Sequence, residues 1–178
     1  MQELAFQEML SKLRLDEDGR LVLGDTRMIL TTRELFRVLQ EVAEDILGEM
    51  GAATLFYRVF FNAAYHFAGA QAKLFGLKGF EVLKKYLEIG SVRGWWAGYE
   101  IVELSDEPLK VIVRLHHTLA EEWGNVGRAI CHSWRGGIAG MLRHITEQMG
   151  KDIKIKVQET ACIAKGDSYC EMVAEQVD

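Results

Sequence analysis

Proline is almost missing from this chain: Pro108 is the only one in 178 residues. There is no Pro/Ser-rich linker, low-complexity tract or internal repeat, so nothing divides the sequence and a single domain over 1–178 is expected. Basic clusters are missing too. A formal charge of -5 without a dense Lys/Arg run excludes the clustered positive charge that displaces phosphate counterions, and with it direct nucleic-acid binding. The longest apolar run, Leu55 to Ala70, is interrupted by Arg58, Asn62 and His66, well short of the roughly 20 apolar residues of a membrane span. Met1 to Leu13 carries Glu3, Gln7, Glu8 and Lys12 and lacks the order of a signal peptide, so a cytoplasmic location is expected. Catalytic patterns are absent: no Ser/His/Asp order, no dinucleotide-binding glycine fingerprint and no His-Glu-x-x-His. Cysteine is scarce and odd in number, at three, which in a reducing compartment points to buried thiols or metal ligands rather than disulfides.

What is present suits one continuous core, since 49% of the residues are apolar. Gln2 to Leu13 reads as an amphipathic helix. Arg20 to Leu23 and Arg27 to Leu30 read as a hairpin, with tight-turn pairs at Asp18-Gly19 and Gly24-Asp25. Thr31 or Thr32 can cap the next helix, and Glu34 offers a capping box with Thr31; Leu35, Leu39, Val42 and Ile46 then recur at helical spacing. A second helix, Gly51 to Leu74, is apolar or small on almost every side and is expected to be surrounded. A third spans Gly79 to Ile89, with Phe80, Leu83 and Leu87 inward, Lys84, Lys85 and Glu88 outward, and Gly90 closing it. Trp96 to Leu104 and Leu109 to Leu115 form a hairpin around a turn that holds Pro108. Val126 to Met149 reads as a helix carrying Cys131 and the small residues Gly136, Gly137, Ala139 and Gly140, which admit a close backbone at some cost in helix propensity. Lys151 to Glu159 alternates as a strand, and Lys165-Gly166-Asp167 turns the chain into a last strand, Ser168 to Ala174. Helices first and a largely antiparallel sheet after them make an α+β fold.

One constellation carries chemistry. Glu159-x-x-Cys162 and Cys170 bracket the Lys165-Gly166-Asp167 turn, and two thiolates facing each other across a tight turn are half of a structural zinc site. Cys131 is the remaining cysteine. Glu159 shares a strand face with Ile153, Ile155 and Val157, the face expected to be buried, and a buried carboxylate needs a cation. Cys162 falls on the opposite parity, so the site requires a bulge or strand end between the two. On spacing alone, three small buried core cysteines with Glu159 at a strand surface fit equally well. His132, next to Cys131, diverges from it by about 100° on a helix and is left out of the set.

A second candidate is apolar. Phe56, Tyr57, Phe60, Phe61, Tyr65, Phe67, Trp95, Trp96, Trp134 and Met141 ordinarily build a core, and so many large groups can also wall a pocket, for which Tyr65, His66, Trp96 and His117 are the available polar anchors. His116 and His117 end a strand facing opposite sides, so at most one of them points into such a pocket.

Three stretches resemble a family: Gly94-Trp95-Trp96-Ala97-Gly98-Tyr99-Glu100-Ile101, Cys131-His132-Ser133-Trp134-Arg135-Gly136-Gly137-Ile138-Ala139-Gly140, and Glu159 through Cys170 are similar to the four-vinyl reductase domain over about residues 20–175, after a helical extension at 1–19. Gly24 to Leu30 and the helix after it are also similar to the sensor portion of bacterial activators that respond to phenols and alkylbenzenes. The resemblance implies a hydrocarbon-binding domain, usually a homodimer, with a fold like the transport-particle (TRAPP) subunits of vesicle tethering. It also implies zinc on Cys131, Glu159, Cys162 and Cys170. Leu115 stands where the aromatic sensors carry a ligand-contacting tryptophan, which adds it to Phe60, Tyr65, His66, Trp95, Trp96, His117 and Trp134 as candidate ligand contacts. The expected function is binding or sensing of an apolar small molecule through dimer or partner contacts. The alternatives are a role in reducing the vinyl group of chlorophyll precursors, or a structural subunit that binds another protein.

Overall fold

The computed structural model describes residues 2–177; Met1 and Asp178, the outermost residues of the expected domain, lie outside the described residues. Helix α1 (Gln2–Lys12) leads into a small antiparallel sheet of β1 (Leu13–Leu15), β2 (Leu21–Leu23) and β3 (Thr26–Arg27). Asp16 builds the first turn by accepting from the backbone N–H groups of Asp18 at 3.0 Å and Arg20 at 2.9 Å. The expected hairpin is thus present only in part. Its second strand stops at Arg27, and Leu13–Leu15, too short to show alternation, adds a strand on the other side of β2.

Thr32 caps α2 (Arg33–Phe75), its hydroxyl accepting from the Leu35 N–H at 3.4 Å. The capping box does not form, because Glu34 pairs with Arg37 at 2.6 Å instead. The two expected helices make one element bent at Gly48, whose φ of 70° and ψ of 164° are open to glycine and strained for other residues. Its second half is only partly surrounded. Ala52, Ala53, Phe56, Ala64, Ala68 and Ala72 are buried, whereas Leu55 and Val59 keep 43% and 51% of their surface exposed. In α3 (Phe80–Val92) the expected terminator, Gly90, lies inside the helix; a Cβ there would meet the Trp96 ring at 2.1 Å. The absent side chain makes room for the indole, which donates from Nε1 to the Leu87 carbonyl at 3.0 Å. Lys85, expected outward, is largely covered between Glu8 at 2.8 Å and Glu88 at 2.5 Å, and so ties α1 to α3.

The main sheet is antiparallel, in the order β4 (Gly98–Asp106), β5 (Leu109–His116), β7 (Cys170–Val177), β6 (Lys154–Ala161). Alternation gives it one apolar face, with Leu109, Val111, Val113, Leu115, Met172 and Ala174 buried. The other face is polar, joined by the Arg114–Glu171 pair at 2.7 Å. Helix α4 (His132–Gln148) packs Ile138, Met141, Leu142 and Ile145 against the apolar face. It starts later than expected. Gly124 and Gly127 adopt φ of 63° and 72°, and a 3-10 turn (Leu119–Trp123) occupies the approach, which leaves Cys131 as the N-cap. Helix α2 crosses α4 on its far side, where a Cβ on Gly136 or Gly140 would stand 2.1 Å from the Tyr57 carbonyl oxygen or 2.0 Å from that of Phe61. The small-residue stretch therefore does admit a close backbone. Helices packed on a largely antiparallel sheet confirm the α+β class, and among the described residues no helix is long and apolar enough to cross a membrane.

Candidate functional site

The alternating Lys-Ile-Lys-Val run makes β6, and its pairing with β7 shifts register between Glu159 and Ala161. That irregularity is the bend that strand parity demanded, and it brings Glu159 and Cys162 into one cluster. Beyond Cys162 a short 3-10 turn (Ile163–Lys165) and Gly166, at φ 105°, reverse the chain toward Cys170. Asp167 locks the turn by accepting from the Cys162 N–H at 2.8 Å. Cys131 arrives from the start of α4. Its sulfur lies 3.4 Å from that of Cys170 and 3.8 Å from that of Cys162, and one ligating atom from each of the three cysteines and Glu159 lies within 4.8 Å of the others.

All three cysteines are buried and unbridged. The Cys131 N–H donates to Glu159 Oε2 at 3.0 Å, while Glu159 Oε1 is buried without a hydrogen-bond partner. Burial, reinforced by Cys162, pushes the Glu159 carboxyl up to about 8. Hydrogen bonds from Cys131 and Cys162 bring Cys170 down to about 4, and those same sulfur contacts raise Cys131 well above the usual thiol range. Alone, the cluster thus favours one negative charge, because a second would be buried beside the first. A cation removes that limit. An orphaned carboxylate oxygen beside sulfurs at 3.4 and 3.8 Å fits a tetrahedral ion, since metal–sulfur bonds of about 2.3 Å give sulfur–sulfur edges of about 3.8 Å. Three thiolates and a carboxylate suit a thiophilic metal. Thr118 Oγ1 at 3.2 Å and the Ile163 N–H at 3.4 Å also contact the Cys170 sulfur.

One helical turn past Cys131, Trp134 enters an apolar cavity of about 340 Å³. Its rings interlock edge to face. Trp95 stands 4.5 Å from Phe36 and 4.9 Å from Trp134, and Trp134 stands 5.6 Å from Phe60 and 5.2 Å from Trp96, centre to centre. Ala63, Ala64, Phe67 and Gly90 continue the wall, and Thr26 to Ile29 close one side. Four candidate contacts, Phe60, Trp95, Trp96 and Trp134, therefore meet here. The other four do not. Tyr65 faces the far end of α4, away from the cavity, where it donates to Glu147 at 2.6 Å and its ring meets that of His144, with His66 beside it. His117, at φ 50°, pairs with Glu121 at 2.8 Å, and Leu115 is buried in the sheet core, opposite Cys170. The polar groups on the lining are instead Thr26, Arg27, Tyr86 and Arg93, which sequence reasoning missed, although Arg93 sits two residues before the paired tryptophans.

The chain has the fold of several solved structures. It is similar to the phenol-responsive sensory domain of the transcription activator PoxR, solved with phenol, at 18% identity and a TM-score of 0.81 over 99% of this chain and 90% of that one. A vinyl-4-reductase family protein from Methanocaldococcus jannaschii is similar at 21% identity and a TM-score of 0.54, covering 86% of this chain and 85% of the other. A trafficking protein particle complex subunit 3 from Naegleria fowleri, covalently bound to palmitic acid, is similar at 9% identity and a TM-score of 0.50, over 83% and 98%. No curated protein matches the chain in sequence. Residues 116–176 match the model of the four-vinyl reductase domain, a shorter span than the expected 20–175 that takes in the stretches 131–140 and 159–170 but not 94–101; residues 10–102, more than half of the chain, match that of a domain of unknown function, DUF5943, so the chain belongs to the DUF5943 family.

Proposed function

We propose that this chain is a small-molecule-sensing domain that holds an apolar ligand among Phe60, Trp95, Trp96 and Trp134, with a structural zinc on Cys131, Glu159, Cys162 and Cys170. The observation that carries the reading is the aromatic cavity, which shares the first turn of α4 with the cysteine cluster. A phenol-responsive sensory domain with the same fold supports it. Zinc with four protein ligands has no open position and acts structurally. Here it would pin the start of α4 to the β6–β7 hairpin, and so fix where Trp134 stands. The rings exclude water from the bound molecule and orient it by shape.

The sensing unit is a homodimer in this reading. The first half of α2 presents Leu35, Leu39, Val42, Ile46 and Met50 to solvent, with Ile46 and Met50 keeping 73% and 81% of their surface exposed. A contiguous apolar stripe of this kind marks an interaction surface, and two-fold pairing of identical stripes is the commonest way to cover one.

Native mass spectrometry of tag-free protein tests the three parts together. The expected result is a species of twice the 20.2 kDa chain mass with one zinc per chain and a retained apolar molecule. Zinc-free protein with three freely titratable thiols would refute the metal assignment. A monomer at micromolar concentration would refute the dimer, and failure of every added aromatic or alkyl compound to bind would refute the sensing role.

A further inference from the structure

Sixteen residues line the aromatic cavity; two are arginines, Arg27 and Arg93, and none is an aspartate or glutamate. In a chain of net charge -5, that is a local reversal of sign. Arg93 follows α3 as its C-cap, and its guanidinium carbon lies 4.8 Å from the centre of the Phe67 ring and 5.6 Å from that of Trp95. Several other arginines are paired with carboxylates, among them Arg37 with Glu34, Arg114 with Glu171, Arg128 with Glu44 and Arg143 with Glu147, whereas Arg135, like Arg93, lies over an aromatic ring, that of Tyr57. Among the described residues, no carboxylate reaches Arg93. The residue as a whole is exposed, but packing of the guanidinium against protein holds its pKa below the usual arginine value, and Tyr86, the ionisable neighbour acting on it, is held neutral by burial, its pKa pushed up to about 12.

The aromatic faces give this guanidinium some cation–π stabilisation, but no acceptor for its five N–H donors. Arg93 is exposed and lines the cavity, so its donors are open to water and to an entering ligand, and a ligand that displaces that water without replacing its hydrogen bonds leaves a costly unpaired cation. We infer that the sensed molecule is an apolar organic acid, its aromatic or alkyl body among Phe60, Trp95 and Trp134 and its carboxylate on Arg93, with Arg27 adding positive charge from β3. The inference rests on the sensing role proposed above and names its ligand class. A neutral hydrocarbon seated against Arg93 would displace water from its donors and offer no acceptor in exchange, whereas a carboxylate accepts two of them side by side.

Isothermal titration calorimetry with isosteric acid and amide pairs tests this: 2-naphthoate against 2-naphthamide, and octanoate against octanamide. At least one acid is expected to bind the unaltered protein about ten-fold or more tightly than its amide, a charge-assisted bidentate contact being roughly twice as strong as a neutral one. Arg93→Met should remove that preference while changing amide affinity by less than about three-fold, with the thermal melt confirming the fold. Because the acid-to-amide ratio is read first on the unaltered protein, the result does not depend on the variant folding. Amides that bind as tightly as their acids would overturn the acid assignment and leave the apolar sensing role standing. An acid preference that survives Arg93→Met would overturn the role of Arg93, and failure of all four probes to bind would overturn the inference and count against the reading beneath it.

Discussion

The cysteine cluster and the aromatic cavity lie one turn apart on α4 and are built in opposite ways. The cluster draws its four donors from a single hairpin and one helix start, packs them within 4.8 Å, and covers them completely enough that Glu159 Oε1 has no partner. The cavity draws its walls from β3, α2, α3, the Trp95-Trp96 segment and α4, and includes Thr26, Arg27, Tyr86 and Arg93 in its lining. Under the function proposed above, one site would be closed by a metal and the other would take up a molecule. Coordination bonds tolerate almost no displacement, whereas edge-to-face rings 4.5 to 5.6 Å apart can tilt past one another at small cost, so the metal site would serve as the datum from which the cavity is positioned.

That asymmetry can be broken in a definite order. Cys162→Ala, or removal of zinc by a chelator, should act on both sites: metal lost, the thermal midpoint down by more than about 10 °C, and the apolar probe released because the start of α4 is no longer tied down. Calorimetry together with metal analysis reads all three, and unchanged probe affinity in the zinc-free protein would show the two sites to be independent. Gly140→Ala should come next, because its methyl would collide with the Phe61 carbonyl; overpacking of about 1–3 kcal/mol lowers the midpoint by several degrees, with zinc retained. Phe60→Ala should act on the cavity alone. Its removal from the ring network weakens an apolar probe by roughly ten-fold at about 25 cal/mol per Å² of lost contact, while zinc content stays at one per chain. Lys84→Ala, on the exposed side of α3, should stay within about 0.5 kcal/mol in stability and leave both sites intact. Lys85 is not an equivalent control, since it bridges Glu8 and Glu88.

The cluster was legible in the sequence because its chemistry is local. Glu159, Cys162 and Cys170 announce a hairpin whose ends must meet, and strand parity even required the irregularity that the β6–β7 register contains. The cavity was half legible. Aromatic side chains showed that walls existed, but whether two helices approach closely enough to place Phe60 beside Trp134 depends on glycines at Gly136 and Gly140, whose effect is tertiary. The polar lining was not legible for the same reason. Tyr65 and His66 share a helix with Phe60, but Tyr65 meets Glu147 and His144 near the end of α4 instead of the cavity, while Arg93 reaches the lining from a neighbouring element. Helix ends were the least legible. Gly48 and Gly90 are both glycines inside helical spans, one bending its helix and the other making room for an indole, and nothing within the sequence window tells the two uses apart.

Where α2 crosses α4, the two main chains touch with no layer of side chains between them, at the Tyr57 and Phe61 carbonyls. A joint of that kind has no slack, because side-chain rotation cannot open or close it. Under the sensing role proposed above, molecules of different girth would be accommodated by the opposite wall, which Trp95 and the segment from Thr26 to Ile29 line. The crossing would then act as the fixed jaw of a caliper, with ligand size set against how far the other jaw is pushed out.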